Sequence, residues 1–522
     1  MPDVVYDLLR DAHFRVTDAR GDEARVSLAG ALARLSAGAH TEFAGLRSHQ
    51  LHPWFAFIVQ VAALAARRAG SDGRALPTDE GTWTSWLLAL GGGVPEAWCL
   101  VVDDVAKPAF LQPPVPEGSI KEFKPVETPD LLDVLITAKN HEKKRARMSR
   151  ASAEHWAFAL VSLQTSDGYP GAGNYGVAKM NSGSGSRPVV GVAKGETLAD
   201  RFGRDVRVWL ESHDDIAERF GYARDGGVAL AWCEAWDGET TLALQELDPC
   251  FVDCCRRLRL TLGPDGVVSA KKKSSKGLRV DANALKGVLG DVWIPTKLED
   301  PPAALTVAET GFTYSLTQSL LPYSDVFRVS PATELRAEDG DAPVFIARVL
   351  ARGQSKTNGL HERVVPIPPR VKSLLATPDA KAQLRARSRF QVDTAGNVRR
   401  EGLRQALLSL VQGGPNKVNQ DDRRADRVSL WLSQFERGVD VMFFDALWSN
   451  AEKSKEGADR DWQTRVAKLA RAVLRDAVAS APVATMRRYR AEAKANQILT
   501  QALSKHCPLF FSDDTKTQET ST

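Results

Sequence analysis

Little in this sequence invites a covalent or membrane-bound explanation. The six cysteines among 522 residues are too scattered for a disulfide framework. Their one close group, Cys250, Cys254 and Cys255, has no fourth ligand nearby, which argues against a structural zinc site. The longest apolar run, Trp54 to Ala66, is interrupted by Gln60 and falls short of the roughly 20 residues that cross a bilayer. No secretory-leader pattern is present, so the expected location is the cytoplasm, with no membrane partner. A large charge excess is also missing. At a formal +4, any surface for a polyanion has to be a local patch. The Walker pattern GxxxxGK[ST] is absent. Ser212-His213-Asp214-Asp215 offers a His-Asp pair, yet no other histidine lies in a comparable acidic context. A helix cap or turn is expected there, and a metal-dependent nuclease or hydrolase using His213 and Asp214 stays as the alternative.

What is present centres on Gly168 to Arg187, GYPGAGNYGVAKMNSGSGSR. Its glycines are too dense for a helix interior, and its polar residues Asn174, Lys179 and Asn181 do not suit a core strand. A long loop is expected. Lacking Cβ atoms, such backbone can lie close to a ligand and offer its N–H groups. Gly171, Gly173 and Gly176 spell GxGxxG, but no helix can open in the Gly- and Ser-rich residues that follow, so the match is accidental. Regular structure is expected on both sides: a helix over Ala153 to Gln164 with Ser152 as its cap, and a strand over Pro188 to Ala193.

Two basic runs flank this region. Lys139, Asn140, Lys143, Lys144 and Arg145 fall in a stretch whose single acid is Glu142. Lys271, Lys272, Lys273 and Lys276 follow a strand–turn–strand signal at Gly263-Pro264-Asp265-Gly266. Each run suits either a solvated face or phosphate contact. Further on, apolar β-prone stretches over Val344 to Ala351 and His361 to Ile367 enclose a polar apex. It contains Gln354, Ser355, Lys356, Thr357, Asn358 and Gly359, and reads as a hairpin turning at Asn358-Gly359.

From about Pro378 the composition favours helices: Ala380 to Arg387, Gly402 to Val411, Arg424 to Phe435, Val439 to Trp448, Asp459 to Val478 and Val483 to Leu503. Phe443, Phe444, Leu447 and Trp448 are expected in the core of an antiparallel bundle. The fold class expected is therefore α+β: a large mixed domain over 1–370, a C-terminal four-helix bundle over 371–510, and a disordered polar tail over 511–522.

In this order, a basic stretch before a capped helix, a glycine-rich loop, a polar hairpin and a helical bundle, the chain resembles the CasA family, the large subunits of the type I-E CRISPR Cascade complex. The resemblance spans nearly the whole chain in architecture and is best over Ala157 to Val192 and Arg352 to Arg363. It implies a non-enzymatic subunit without cofactor or metal. Such a subunit reads the protospacer-adjacent motif of double-stranded target DNA from the minor groove and starts duplex opening, while guide RNA supplies the remaining specificity. The implied partners are the backbone, small and guide-end-capping subunits and a recruited helicase-nuclease. By position, the resemblance implies motif contact by Gly171, Gly173, Asn174 and Tyr175, with Lys179 as a phosphate donor. One of Lys271 to Lys276 matches a lysine loop. Gln354, Ser355, Lys356, Thr357 and Asn358 match the wedge hairpin, with Gln354 first in line to enter the duplex.

Overall fold

A buried helix, α1 (Leu51–Arg68), runs through the middle of the mixed part of the chain. Its residues are apolar on every side, so it must be covered on every side. Trp54 packs edge-on against Phe158 with ring centroids 4.8 Å apart, and Phe57 meets Phe110 and Trp232. Gln60, the residue that broke the apolar run, is buried and fully used. Its amide donates to the Cys250 and Phe251 carbonyls at 3.0 and 2.9 Å, and its oxygen accepts from Arg187 at 2.9 Å. Satisfying both ends of the amide removes the cost of burying it.

In this computed structural model the described residues are 4–132, 148, 151–168, 171, 173–181, 187–353, 356–420 and 425–512. They form two units, one of Met1–Phe312 with Asp325–Ile367, the other of Thr313–Ser324 with Pro368–Thr522. The expected tail lies outside the described residues except for Phe511 and Ser512, which close a helical turn.

Three features of the first unit bear on function. The strand β1 (Lys124–Val126) pairs with β4 (Val268–Lys273), which pairs with β3 (Arg257–Leu262), all antiparallel, so the expected hairpin at Gly263 to Gly266 is present. A second sheet joins β2 (Val189–Ala193) to β5 (Val344–Gly353) and β5 to β6 (Lys356–Pro366). Because β2 follows the glycine-rich segment directly, this pairing brings the hairpin to that segment's exit. Helix α2 (Ala153–Ser166) leads into the segment's entrance, with Ser152 and His155 forming the cap. Helix α3 (Leu198–Phe220) absorbs Ser212 to Asp215, which are neither cap nor turn.

The second unit is helical. Here α4 (Pro378–Asn397) continues through a π-helical turn (Val398–Leu403) into α5 (Arg404–Val411), followed by α6 (Ala425–Ser449), α7 (Lys455–Ser480) and α8 (Thr485–His506). Among the described residues these make four long rods. Phe443, Phe444, Leu447 and Trp448 are buried as expected, and Phe443 meets Trp462 edge-on at 5.7 Å. Two expected helices merge into α6 because Gly438 does not break it: a Cβ there would lie 2.7 Å from Leu469 on α7, so the glycine serves close helix packing.

Candidate nucleic-acid interface

The end of α2 sets the site's geometry. Gln164, buried, donates to the Leu111 and Arg256 carbonyls and accepts from the Arg256 N–H at 2.7 Å. Asp167 follows at the C-cap, also buried, and its carboxylate accepts from the Arg256 guanidinium at 2.7 Å. Arg256 further donates to the Gly168 carbonyl at 2.8 Å and to the Tyr175 carbonyl. One guanidinium thus grips both limbs of the first half of the glycine-rich segment.

Within that segment Asn174 N–H donates to the Gly171 carbonyl at 3.0 Å, forming a tight turn around Gly173, whose φ is +77°. The Gly173 carbonyl accepts from the Ser275 N–H at 3.0 Å, and the Tyr175 hydroxyl donates to the Lys276 carbonyl at 3.3 Å. The loop and the lysine-bearing strand end, more than ninety residues apart in sequence, are therefore stitched edge to edge. A Cβ on Gly173 would lie 2.7 Å from the Ser274 Cβ, so both its conformation and its neighbour favour glycine. Beneath the loop is a cavity of about 220 Å³ lined chiefly by Tyr175, Val177, Met180, Leu278 and Val280.

The lysine run is not a free loop. Lys271, Lys272 and Lys273 belong to β4, opposite Arg259, Leu258 and Arg257. Lys273 pairs with Glu122 at 2.7 Å and Lys276 with Glu239 at 2.6 Å, acids that come from distant segments. Lys276 is nevertheless 80% exposed, and Lys272 is exposed as well.

Lys179 requires a correction. Only 2% exposed, it donates to the Phe251 carbonyl at 3.0 Å with its ammonium over the Phe251 and Trp209 rings. Burial lowers its pKa. A cation enclosed in this way cannot reach a phosphate; it anchors the loop's descent into the core. Arg187, at the segment's other end, is equally enclosed and ion-paired with Asp291 at 2.7 Å.

The hairpin approaches from the other side. Arg352 lies 3.2 Å from the second oxygen of the Asp167 carboxylate and donates to the Thr357 hydroxyl at 2.7 Å. Asn358-Gly359 is not the turn. Ala351 pairs with Gly359 and Arg352 with Thr357, which leaves Asn358 as the extra residue of a β-bulge. Pairing continues to Gly353 and Lys356, so the strands run further than apolar patterning indicated. Gln354 and Ser355, between them in sequence, lie outside the described residues. So do Lys139, Asn140, Lys143, Lys144 and Arg145.

The other chemical candidates are closed. His213 is buried inside α3, with Nδ1 3.0 Å from Asp214 and Nε2 3.5 Å from Asp248. The thiols of Cys250, Cys254 and Cys255 point at the main-chain carbonyls of Gln60, Leu111 and Leu163. Burial raises their pKa, that of Cys255 to about 12, the opposite of what a metal-binding thiolate needs. Among the described residues no group of three or more His, Cys, Asp or Glu converges as a metal site. No helix among them is long and apolar enough to cross a membrane.

Asp167 is the site residue that sequence reading passed over. Its signal was faint: a lone acid between a helix and a glycine loop, with both arginine partners far away in the chain.

A mixed unit in which a glycine loop, a lysine-bearing sheet and a hairpin meet, together with a unit of four helical rods, is a fold found among CRISPR-associated proteins. More particularly, it is the fold of Cse1, also called CasA. Cse1 from Acidimicrobium ferrooxidans matches with a TM-score of 0.65 at 16% identity, over 98% of this chain and 100% of that one. Cse1 from Thermobifida fusca matches with 0.66 at 13%, over 97% and 98%. A chain of a CRISPR RNA-guided surveillance complex matches with 0.57 at 13%, over 95% and 99%. No protein-family model and no curated protein matches the chain.

Proposed function

We propose that this chain is the large subunit of a type I-E RNA-guided CRISPR surveillance complex. In this reading it recognises the protospacer-adjacent motif of double-stranded target DNA from the minor groove and starts duplex opening. The observation that carries the reading is the meeting of three segments singled out separately in the sequence: Gly173 bonded to Ser275, and Asp167 gripping both Arg256 and Arg352. Side-chain-poor backbone at Gly171 and Gly173 suits a groove floor, where the donor and acceptor pattern is degenerate and close approach matters more than base-by-base readout. Asn174 and Tyr175 flank that backbone, and Lys272 and Lys276 supply exposed positive charge for the strands on either side. The hairpin residues Gln354, Ser355, Lys356, Thr357 and Asn358 then enter the end of the duplex, Gln354 leading, while guide RNA pairs with the released strand.

The Cse1 fold over nearly the whole length, shared with a chain of an RNA-guided surveillance complex, supports guide RNA and other subunits as partners. By the family resemblance these are the backbone, small and guide-end-capping subunits, with a recruited helicase-nuclease that does the cutting in the cytoplasm. The chain itself acts by binding, without catalysis. A nuclease or hydrolase centred on His213 and Asp214 is the weaker reading, because His213 is enclosed by its own helix and Asp248.

The test is reconstitution of the complex with and without this chain, followed by binding to duplexes that vary only beside the guide-matched segment. Wild-type protein is expected to confer discrimination between those duplexes. Gly173→Val is expected to abolish it, and Gln354→Ala to slow opening of the first base pairs. Equal discrimination without the chain would refute the reading.

A further inference from the structure

We propose that Asp167 is a positioning residue that couples the glycine loop to the hairpin, so that seating of the loop on a duplex and entry of the hairpin into it occur as one event. The inference rests on the motif-reading role proposed above. It begins from a shared ion pair. The Asp167 carboxylate lies 2.7 Å from Arg256 and 3.2 Å from Arg352, and it is buried while both partners are largely so. In such surroundings its charge is what draws both guanidiniums to it.

Each arginine holds a different element. Arg256 fixes the loop through the Gly168 and Tyr175 carbonyls, and Arg352 fixes the hairpin near its tip through the Thr357 hydroxyl. Asp167 itself is fixed by the end of α2, and its own carbonyl accepts from the Val177 N–H at 3.1 Å, closing the loop's base. A displacement of the loop at Tyr175 therefore reaches Arg352 through two ion pairs and no flexible linker. The β2–β5 pairing sets the hairpin's general position, whereas the Asp167 pair sets where its last two residue pairs lie relative to Gly173.

Asp167→Asn keeps the size of the side chain and removes the charge. The expected result with the reconstituted complex is a separation of two steps. A motif-bearing duplex whose first three pairs beside the motif are already mismatched should bind within about twofold of wild type. The fully paired duplex should bind at least about tenfold more weakly, without the motif-dependent rise in 2-aminopurine fluorescence that reports opening. Arg352→Gln, closer to solvent and on a different element, should reproduce that pattern, and the double variant should be no worse than either single one. Should Asp167→Asn fail to fold, Arg352→Gln alone carries the test.

Three results would overturn the coupling: normal opening in either variant, an equal loss on paired and pre-opened duplexes, or additive losses in the double variant. If wild-type complex itself fails to distinguish motif-bearing from motif-lacking duplexes, the motif-reading role fails, which is a different result from any of these three.

Discussion

The Arg352 guanidinium lies 3.2 Å from the Asp167 carboxylate, an ion pair between the end of one helix and the tip region of a hairpin that the sequence places far apart. The same carboxylate holds Arg256, and Arg256 holds the loop. A flexible-looking stretch of glycines is thereby attached to a rigid frame at its base, while its apex leans on Ser274 and Ser275. This fixes side-chain-poor backbone in place, as reading a surface through the main chain requires.

Gly173 is the sharpest point of that arrangement. Its φ of +77° costs an ordinary L-residue about 1–2 kcal/mol, and a Cβ would press on Ser274. Gly173→Ala should lower the melting temperature only slightly in a chain of this size while weakening binding to motif-bearing duplex by at least about tenfold. Competition between motif-bearing and motif-lacking duplexes measures the second effect, and unchanged selectivity would count against the loop's role.

The exposed lysines should act through salt. Lys272→Gln and Lys276→Gln are each expected to reduce the slope of log affinity against log salt by about one while leaving the preference among motifs unchanged. Glu239 opposes this at Lys276, so Glu239→Gln should strengthen binding at low salt. Titrations at several salt concentrations decide it; a Lys276→Gln slope equal to wild type removes that residue from the interface.

Some of this was legible before any coordinates. Glycine density marked the loop, apolar β-prone runs marked β5 and β6, and helix-favouring composition and caps marked α2 and the bundle, because each signal is local. The errors have a common origin in contacts that are not local. Lys179 reads as a loop cation because Trp209 and Phe251, which enclose it, come from elsewhere in the chain. The run from Lys271 to Lys276 contains no acid, yet Glu122 and Glu239 pair with it across the fold. Asn358-Gly359 has the composition of a turn but sits in a bulge, since nothing in the sequence shows that pairing continues to Gly353 and Lys356. Gly438 looks like a break until Leu469 is placed against it.

The burial of Lys179 makes a prediction that separates anchoring from DNA contact. Lys179→Met retains the chain's length and apolar contacts, and the Phe251 carbonyl keeps Gln60 as its donor. Salt dependence and motif preference should both be unchanged, and stability should be equal or higher, because a desolvated ammonium without a carboxylate bonded to it costs more than a thioether. The folded-state pKa is lowered, so the unfolded chain binds the proton more readily. Wild type should therefore gain stability relative to Lys179→Met as pH rises towards 10.5. Denaturant midpoints at pH 7 and pH 9.5 test this; a reduced salt slope in the variant would return Lys179 to the phosphate contacts.

His52 sets the response at the acid end. It is buried in α1, and desolvation, with His49, Arg348 and Arg187 adding like charge nearby, lowers its pKa from 6.5 to about 3. The unfolded chain takes up a proton below about 6.5 that the folded chain refuses until about 3, so stability contributed by the neutral ring is lost as pH falls through that window. Each pH unit well inside the window costs at most about 1.4 kcal/mol from this group. His52→Gln keeps a neutral polar side chain and should be less stable than wild type at pH 7 through imperfect packing. The gap should narrow or reverse by pH 4.5, where only wild type carries the proton penalty. Urea midpoints for both proteins across that range measure the difference, and parallel curves would show that His52 is not the group that titrates.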